Sequence, residues 1–293
     1  MSKPESQIVH LLEDPDFFRA SVRFTAQVTT FTPRLIEKDY LCTVLLEYLA
    51  ATGGSLVFKG GTCLSKVHAN FYRLSEDLDF VIPMPTDSTR VRRRKQAVAI
   101  KKAVAELPKQ LPFFRVVQPL AGANNSTQYN AVIGYTPLTS REEDTIKIEI
   151  GLREPLLLPV LVGPARTILL DPNSGEPLIP PLALSCISRM EAFAEKFRAA
   201  LSRREVAVRD FFDLDYAVRR LGLRPENADL VELVRQKLAV PGNEPVDISA
   251  DRLAALRRQV GPQLQPVLRA EDFAEFDLER AFQAVTTMAA RLI

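Results

Sequence analysis

The chain has 293 residues, 46% of them apolar and 25% charged, and a formal net charge of +2 from 38 Lys+Arg against 36 Asp+Glu. At roughly 150 residues per domain, this is the length of one large or two modest domains. The mixture is that of an ordinary globular protein, which excludes a disordered tail, a collagen, a coiled-coil rod and a globally basic nucleic-acid binder. Cys42, Cys63 and Cys186 form no CxxC pair, and His10 and His68 are distant in sequence. Neither a structural zinc site nor a disulfide framework is therefore expected, and a reducing cytosol is. The N-terminal stretch lacks a long apolar region, so no secretory signal is expected, and no run reaches the roughly 18 apolar residues of a membrane span.

Residues 4–24 read as a helix interrupted at Pro15, with Ile8, Val9, Leu11 and Leu12 on its apolar side. Leu35, Ile36, Tyr40, Val44, Leu45 and Leu49 recur at helical spacing and predict a second helix, closed by Gly53-Gly54. SLVFK (55–59) predicts a short buried strand that stops at Gly60-Gly61, after which Thr62 is placed to cap a helix. LDFVI (78–82) predicts a strand, and Arg90 to Leu107 one helix with a basic start. Phe113–Gln118 and Asn130–Tyr135 look extended around a polar loop, and TIKIEIGL (145–152) alternates as a strand does. The proline-rich stretch from Pro155 to Pro181 reads as a linker with one short strand, which puts domains at 1–155 and 156–293. Beyond it the patterns are helical. Ser188 and Glu191 stand at capping-box spacing before MEAFAEKFRAAL, Gly222 ends the next helix, and Leu278, Ala281, Phe282, Val285, Met288, Ala289 and Leu292 mark the last. The sum is an α/β unit followed by a helical one.

The chemistry concentrates in FKGGTCLSKVHANFYRLSEDLDF (58–80). Two glycines let a ligand's phosphates approach the backbone, and a helix start offers N–H groups to an anion. Asp77 and Asp79, two apart at a strand, point to one face, where two carboxylates repel unless a cation lies between them; Mg²⁺ takes such oxygens and shares its shell with phosphates. A phosphate cradle beside a metal site is what phosphoryl or nucleotidyl transfer needs. Glu149 in IKIEI is either a third carboxylate on a neighbouring strand or, with Lys147, that strand's solvent side. Lys196 lies at the rim of an apolar helix stripe, as a snorkelling lysine or as a cation aimed into a cleft, and Asp210 and Asp213 share a face of the next helix. Arg90, Arg92, Arg93, Arg94 and Lys95 form either a solvated helix face or a contact for an RNA backbone, which Arg203, Arg204 and Arg209 would extend.

Taken in order, EKDY (37–40), FKGGTCLSK (58–66), RLSEDLDF (73–80), IEI (148–150), AEKFRAALSRR (194–204) and RDFFDL (209–214) resemble the AbiEii/AbiGii toxin family of nucleotidyltransferases, which includes the mycobacterial MenT toxins. The resemblance implies the α/β fold of the DNA polymerase β-like nucleotidyltransferases, a mixed sheet with flanking helices, and a helical C-terminal domain that closes the active-site cleft. It implies that Gly60, Gly61 and Thr62, with Arg73 and Ser75 and flanked by Lys59 and Lys66, hold the nucleotide. Asp77 and Asp79 would bind metal, with Glu149 as a further ligand or as the base. Lys196 would reach the triphosphate, and Asp213, or Asp210 near it, would orient Lys196 or touch base or ribose. The activity implied is Mg²⁺-dependent transfer of NMP from an NTP to an RNA, with two Mg²⁺ and the tRNA 3′ end as acceptor. The setting implied is a cytoplasmic toxin of a toxin–antitoxin or phage-defence pair, with an antitoxin encoded alongside. The alternatives are a transferase acting on a protein or small-molecule hydroxyl and a non-catalytic nucleotide-binding module.

Overall fold

The structure is a computed structural model that describes residues 11–52, 55–140 and 142–292. It divides into two compact units. The first takes the chain up to Pro155 together with Leu161–Cys186, and the second takes Leu156–Val160 and everything from Ile187 on.

In the first unit, helices α1 (Pro15–Thr29) and α2 (Pro33–Ala50) lead into strand β1 (Val57–Lys59). A single helical turn α3 (Gly60–Cys63), a π turn (Leu64–His68) and strand β2 (Leu78–Val81) follow. Helices α4 (Arg90–Gln96) and α5 (Val98–Gln110) precede strands β3 (Phe114–Ala123), β4 (Gln128–Tyr135), β5 (Asp144–Gly151), β6 (Leu161–Ala165) and β7 (Leu182–Cys186). The seven strands form one mixed sheet in the order β3-β4-β5-β2-β1-β7-β6. β1 lies antiparallel to β2 and parallel to β7, and β2 lies parallel to β5.

Pro15 starts α1 instead of interrupting a longer helix, because a proline needs no N–H partner in a first turn and Asp14 caps the Phe17 N–H at 3.0 Å. Residues 4–10 and the Gly53-Gly54 stop lie outside the described residues. The basic helix is two helices, α4 and α5, joined at Ala97. The stretch read as a linker carries β6 as its one strand, and β7 follows directly after Pro181. Pro164 sits inside β6, at the edge of the sheet, where a missing N–H costs no ladder bond. The sheet unit therefore reaches Cys186, beyond the boundary expected at 155.

The second unit contains α6 (Arg189–Ser202), α7 (Val208–Arg220), α8 (Ala228–Leu238), α9 (Ala250–Gln259), α10 (Ala270–Glu275) and α11 (Leu278–Leu292). Ser188 caps α6 by accepting the Glu191 N–H at 3.2 Å. Glu191 does not complete a capping box: its buried carboxylate accepts the N–H groups of Leu157 and Leu158 at 2.8 Å each and pairs with Lys237 at 2.7 Å. Those bonds fasten Leu156–Val160 to the helices. Among the described residues no helix is long and apolar enough to cross a membrane.

Candidate active site

FKGGT folds as β1 running directly into α3. Gly60 has φ of +75°, and a Cβ built on it would fall 2.1 Å from Asp79 Oδ2. Only glycine lets that carboxylate lie over the turn. A Cβ on Gly61 would stand 2.5 Å from Arg73 Nη2 and 3.2 Å from Ser75 Oγ. The glycine pair is thus shaped by an acid on β2 and by a guanidinium and a hydroxyl from the segment before it. That segment is pinned in return: Thr62 Oγ1 donates to the Asp77 carbonyl, and Ser65 Oγ donates to the Arg73 carbonyl at 2.7 Å. Thr62 is consequently not a helix cap. Lys59 holds the cap position, with no side-chain cap bond.

Lys59, Asp79, Glu149 and Asn130 are register neighbours on β1, β2, β5 and β4. Neighbours of this kind share a face, so a polar row crosses the sheet. The alternate residues Leu78, Phe80, Ile148 and Ile150 are buried in the core. Asp77 stands two residues before Asp79 at the entry to β2 and, like Asp79 and Glu149, is half-buried. Lys147 Nζ donates to Glu149 at 3.0 Å. Burial lowers the pKa of Lys147, but the hydrogen bond and charge of Glu149, with the fields of Asp77 and Asp79, outweigh it and raise the value. The patch is therefore net negative and built from carboxylate oxygens, the donor set a hard divalent cation takes. The three carboxylates do not converge as one trio. Among the described residues, the side chains whose ligand atoms do come together in a trio, all within 4.8 Å of one another, are not carboxylates but Cys63, His68 and Cys186. Glu149 extends along its own strand to Lys147, so both readings of this pair hold in part: it neighbours Asp79, and it forms an ion pair at the strand's open side.

Several expected ligands are placed elsewhere. Lys66 is fully buried, 2.6 Å from Asp39 Oδ1, and donates to Thr43 Oγ1 at 2.8 Å and to the Asp39 and Arg166 carbonyls at 3.0 and 3.2 Å. An ammonium whose donors are all engaged inside the core holds no phosphate, and Lys66 is a structural cation. Arg93 is buried and donates to the Leu152 and Thr86 carbonyls, which removes it from the basic surface, whereas Arg90, Arg92, Arg94 and Lys95 are exposed. In the helical unit, Lys196 Nζ lies 2.6 Å from Asp210 and 2.7 Å from Asp213. Asp213 is completely buried, so it holds Lys196 and offers no face to base or ribose, and Asp210 shares the task.

The largest omission of sequence reasoning is the role of Glu37, Lys38 and Asp39. They lie on α2, which is buried on nearly all sides, so each must find a partner. Glu37 accepts the Leu138 and Thr139 N–H groups. Lys38 reaches Glu76 at 2.8 Å and Asp144 at 3.1 Å, and Arg34 joins both acids at 2.9 and 2.8 Å. Asp39 pairs with Lys66 and accepts from Thr167 Oγ1 at 2.9 Å. Glu76 immediately precedes Asp77, so this network fixes the carboxylate segment from behind. The signal was three consecutive charges in a helix that is buried along most of its length.

The family model for the nucleotidyl transferase AbiEii toxin, type IV toxin–antitoxin system, matches residues 44–287. Among solved structures, a Helicobacter pylori protein described as a candidate nucleotidyltransferase is 17% identical with a TM-score of 0.53, covering 89% of this chain and 96% of its own. JHP933, also from Helicobacter pylori, is 18% identical with a TM-score of 0.52, at 89% and 93% coverage. The nucleotidyltransferase toxin MenT4 of Mycobacterium tuberculosis H37Rv gives 17% identity and a TM-score of 0.47, at 92% and 98%. No curated protein matches the chain. At these identities the two Helicobacter structures show a shared fold.

Proposed function

The chain belongs to the AbiEii family of nucleotidyltransferase toxins, and from that premise we propose that it transfers NMP from an NTP to the 3′ end of tRNA, with Mg²⁺ as its metal. The observation that carries this reading is the placement of Asp79 over Gly60, in the row that joins Lys59, Asp79 and Glu149 beside Asp77. A phosphate brought to the glycine turn meets Arg73 and Ser75 on one side and the carboxylates on the other.

Asp77 and Asp79 would hold the metal, which supplies charge stabilisation to the attacking and leaving oxygens. The chain's own residues do the remaining work. Lys59, Ser75 and the turn orient the triphosphate, and Arg73, whose backbone carbonyl accepts from Ser65 Oγ and whose buried guanidinium lies against Gly61, offsets its charge. Glu149 accepts the proton of the acceptor hydroxyl as its oxygen bonds to the α-phosphorus and the bond to the β-phosphate oxygen breaks, releasing pyrophosphate. Lys196 is proposed as a further triphosphate ligand, oriented by Asp210 and Asp213. Arg90, Arg92, Arg94 and Lys95 would carry the RNA backbone. The family implies a cognate antitoxin as partner. A cytoplasmic role in phage defence is part of the proposal.

The test is incubation of the purified chain with total tRNA, Mg²⁺ and each α-phosphate-labelled NTP in turn, beside an Asp77→Ala/Asp79→Ala chain. Label on the tRNA 3′ end that is lost in the variant is the expected result. Folded chain that labels no tRNA with any NTP overturns the acceptor and moves the search to protein and small-molecule hydroxyls.

A further inference from the structure

Away from the carboxylate row, three side chains that the sequence kept apart come together. Cys63 ends α3, His68 ends the π turn and Cys186 ends β7. Their ligand atoms all lie within 4.8 Å of one another, with both thiols buried and the imidazole half-exposed. Cys63 and His68 are five residues apart. On an α-helix, at 3.6 residues per turn, that spacing leaves two side chains about 140° apart. The π turn over Leu64–His68 widens the helix and swings His68 back towards the face of Cys63. Such widened turns are uncommon and gather at functional sites.

The surroundings leave room for the cluster. Gly163 on β6 has no side chain where a Cβ would stand 2.7 Å from Cys186 Sγ and 2.5 Å from Val67 Cγ1. All three cysteines of the chain are thiols. The hydrogen bond from Cys63 outweighs burial, and with His68 and the Gly163 N–H beside it lowers the pKa of Cys186 to about 5.

We propose that Cys63, His68 and Cys186 bind one thiophilic d¹⁰ cation of the Zn²⁺ class, with solvent as the fourth ligand on the exposed side of His68. Two thiolates and an imidazole are the soft and borderline donors such ions select over Mg²⁺. Zn–S bonds of about 2.3 Å in a tetrahedral site set the sulfurs about 3.8 Å apart, within reach of the arrangement seen here. The ion would tie β7 to the turn that carries Gly60, Gly61 and Thr62, since Cys63 is the next residue. This site is separate from the Mg²⁺ proposed for nucleotidyl transfer, and neither depends on the other.

The experiment is Zn²⁺ titration of the fully reduced chain against a chromophoric chelator, with X-ray absorption at the zinc edge of the loaded protein. One ion per chain is expected, with two sulfurs and one nitrogen in its shell. Cys63→Ser and Cys186→Ser are each expected to weaken binding by more than about a hundredfold, the most that loss of an outer hydrogen-bond partner costs. Cys42→Ala, which removes a cysteine outside the cluster, is expected to leave binding unchanged. Cu⁺ replaces Zn²⁺ in a second arm, and tighter Cu⁺ binding with the same two-sulfur shell keeps the site and names the other d¹⁰ ion. Substoichiometric binding by folded, reduced chain overturns the proposal. So does a shell of oxygen and nitrogen alone, or a Cys63–Cys186 disulfide that persists in reductant and binds no ion. The absorption spectrum needs only the wild-type chain, so a variant that fails to fold leaves the proposal open to refutation.

Discussion

Gly60 and Gly61 are glycines for different reasons, and the difference can be measured. At Gly60 a side chain meets both an unfavourable φ and the Asp79 carboxylate, whereas Gly175 has the same φ of +75° with nothing within 4 Å of a Cβ. Alanine in the left-handed region costs about 1–2 kcal/mol at either position. Gly60→Ala must in addition displace Asp79, and a misplacement of about 1 Å at a reacting centre can cost about a hundredfold in rate. Gly175→Ala is therefore expected to lower the melting temperature and leave transfer intact, while Gly60→Ala lowers both. Equal activity in the two variants would remove Asp79 from the reaction. The Gly-Gly-Thr turn and the two aspartates were legible in the sequence because their spacing is local. That each glycine is shaped by Asp79 or Arg73 was not, because the neighbours are set by the close pairing of β1 with β2.

At the scale of elements, α2 acts as a peg whose charged turn holds three separate segments. Lys66→Met leaves the Asp39 carboxylate buried without its cation, and loss of one member of such a pair typically costs about 3–5 kcal/mol. Urea unfolding should show that loss, and adding Asp39→Asn should restore part of it. Folded Lys66→Met is expected to keep the wild-type KM for NTP, whereas a raised KM would return Lys66 to the phosphate ligands. Lys38 and Arg34 give the same helix an acid sensitivity. Burial raises the pKa of Glu76, but hydrogen bonds and charge from Lys38 and Arg34 outweigh it and lower the value. Asp144 is lowered likewise, burial being outweighed by the Thr145 N–H, Lys38 and Arg34. Both folded values are depressed, so their stabilisation is complete above the unfolded range near pH 4 and is lost as pH falls through the lower folded values. Thermal melts from about pH 5 to pH 3 are expected to show that loss, and Lys38→Met to show less of it. An equally steep acid loss in Lys38→Met would assign the effect to other carboxylates. The apolar period announced α2 plainly. The destinations of its charges lie up to 129 residues away, at Ile168 for Asp39, beyond any local pattern.

For the whole molecule, the order of a sheet half and a helical half is legible in the sequence, but the return of Leu161–Cys186 to the sheet unit is not, because β7 joins β1 across a long separation in the chain. The basic surface is likewise smaller than its sequence. Each phosphate contact adds about 0.7–0.9 to the slope of log affinity against log salt. Replacing Arg90, Arg92, Arg94 and Lys95 by glutamine is expected to flatten that slope for RNA binding, and Arg93→Gln to lower stability without changing it. An unchanged slope in the fourfold variant would place the RNA elsewhere. The pairing of Phe58 in β1 with Cys186 in β7 has its own consequence. A ribosome delivers the chain from its N-terminus, so β1 keeps one edge open while β2 to β6 are made, and open edges invite pairing with other chains. The nascent polypeptide is thus most adhesive before β7 emerges, and the strand that leads into Gly60 gains its second neighbour only after β2 to β6 have all been made.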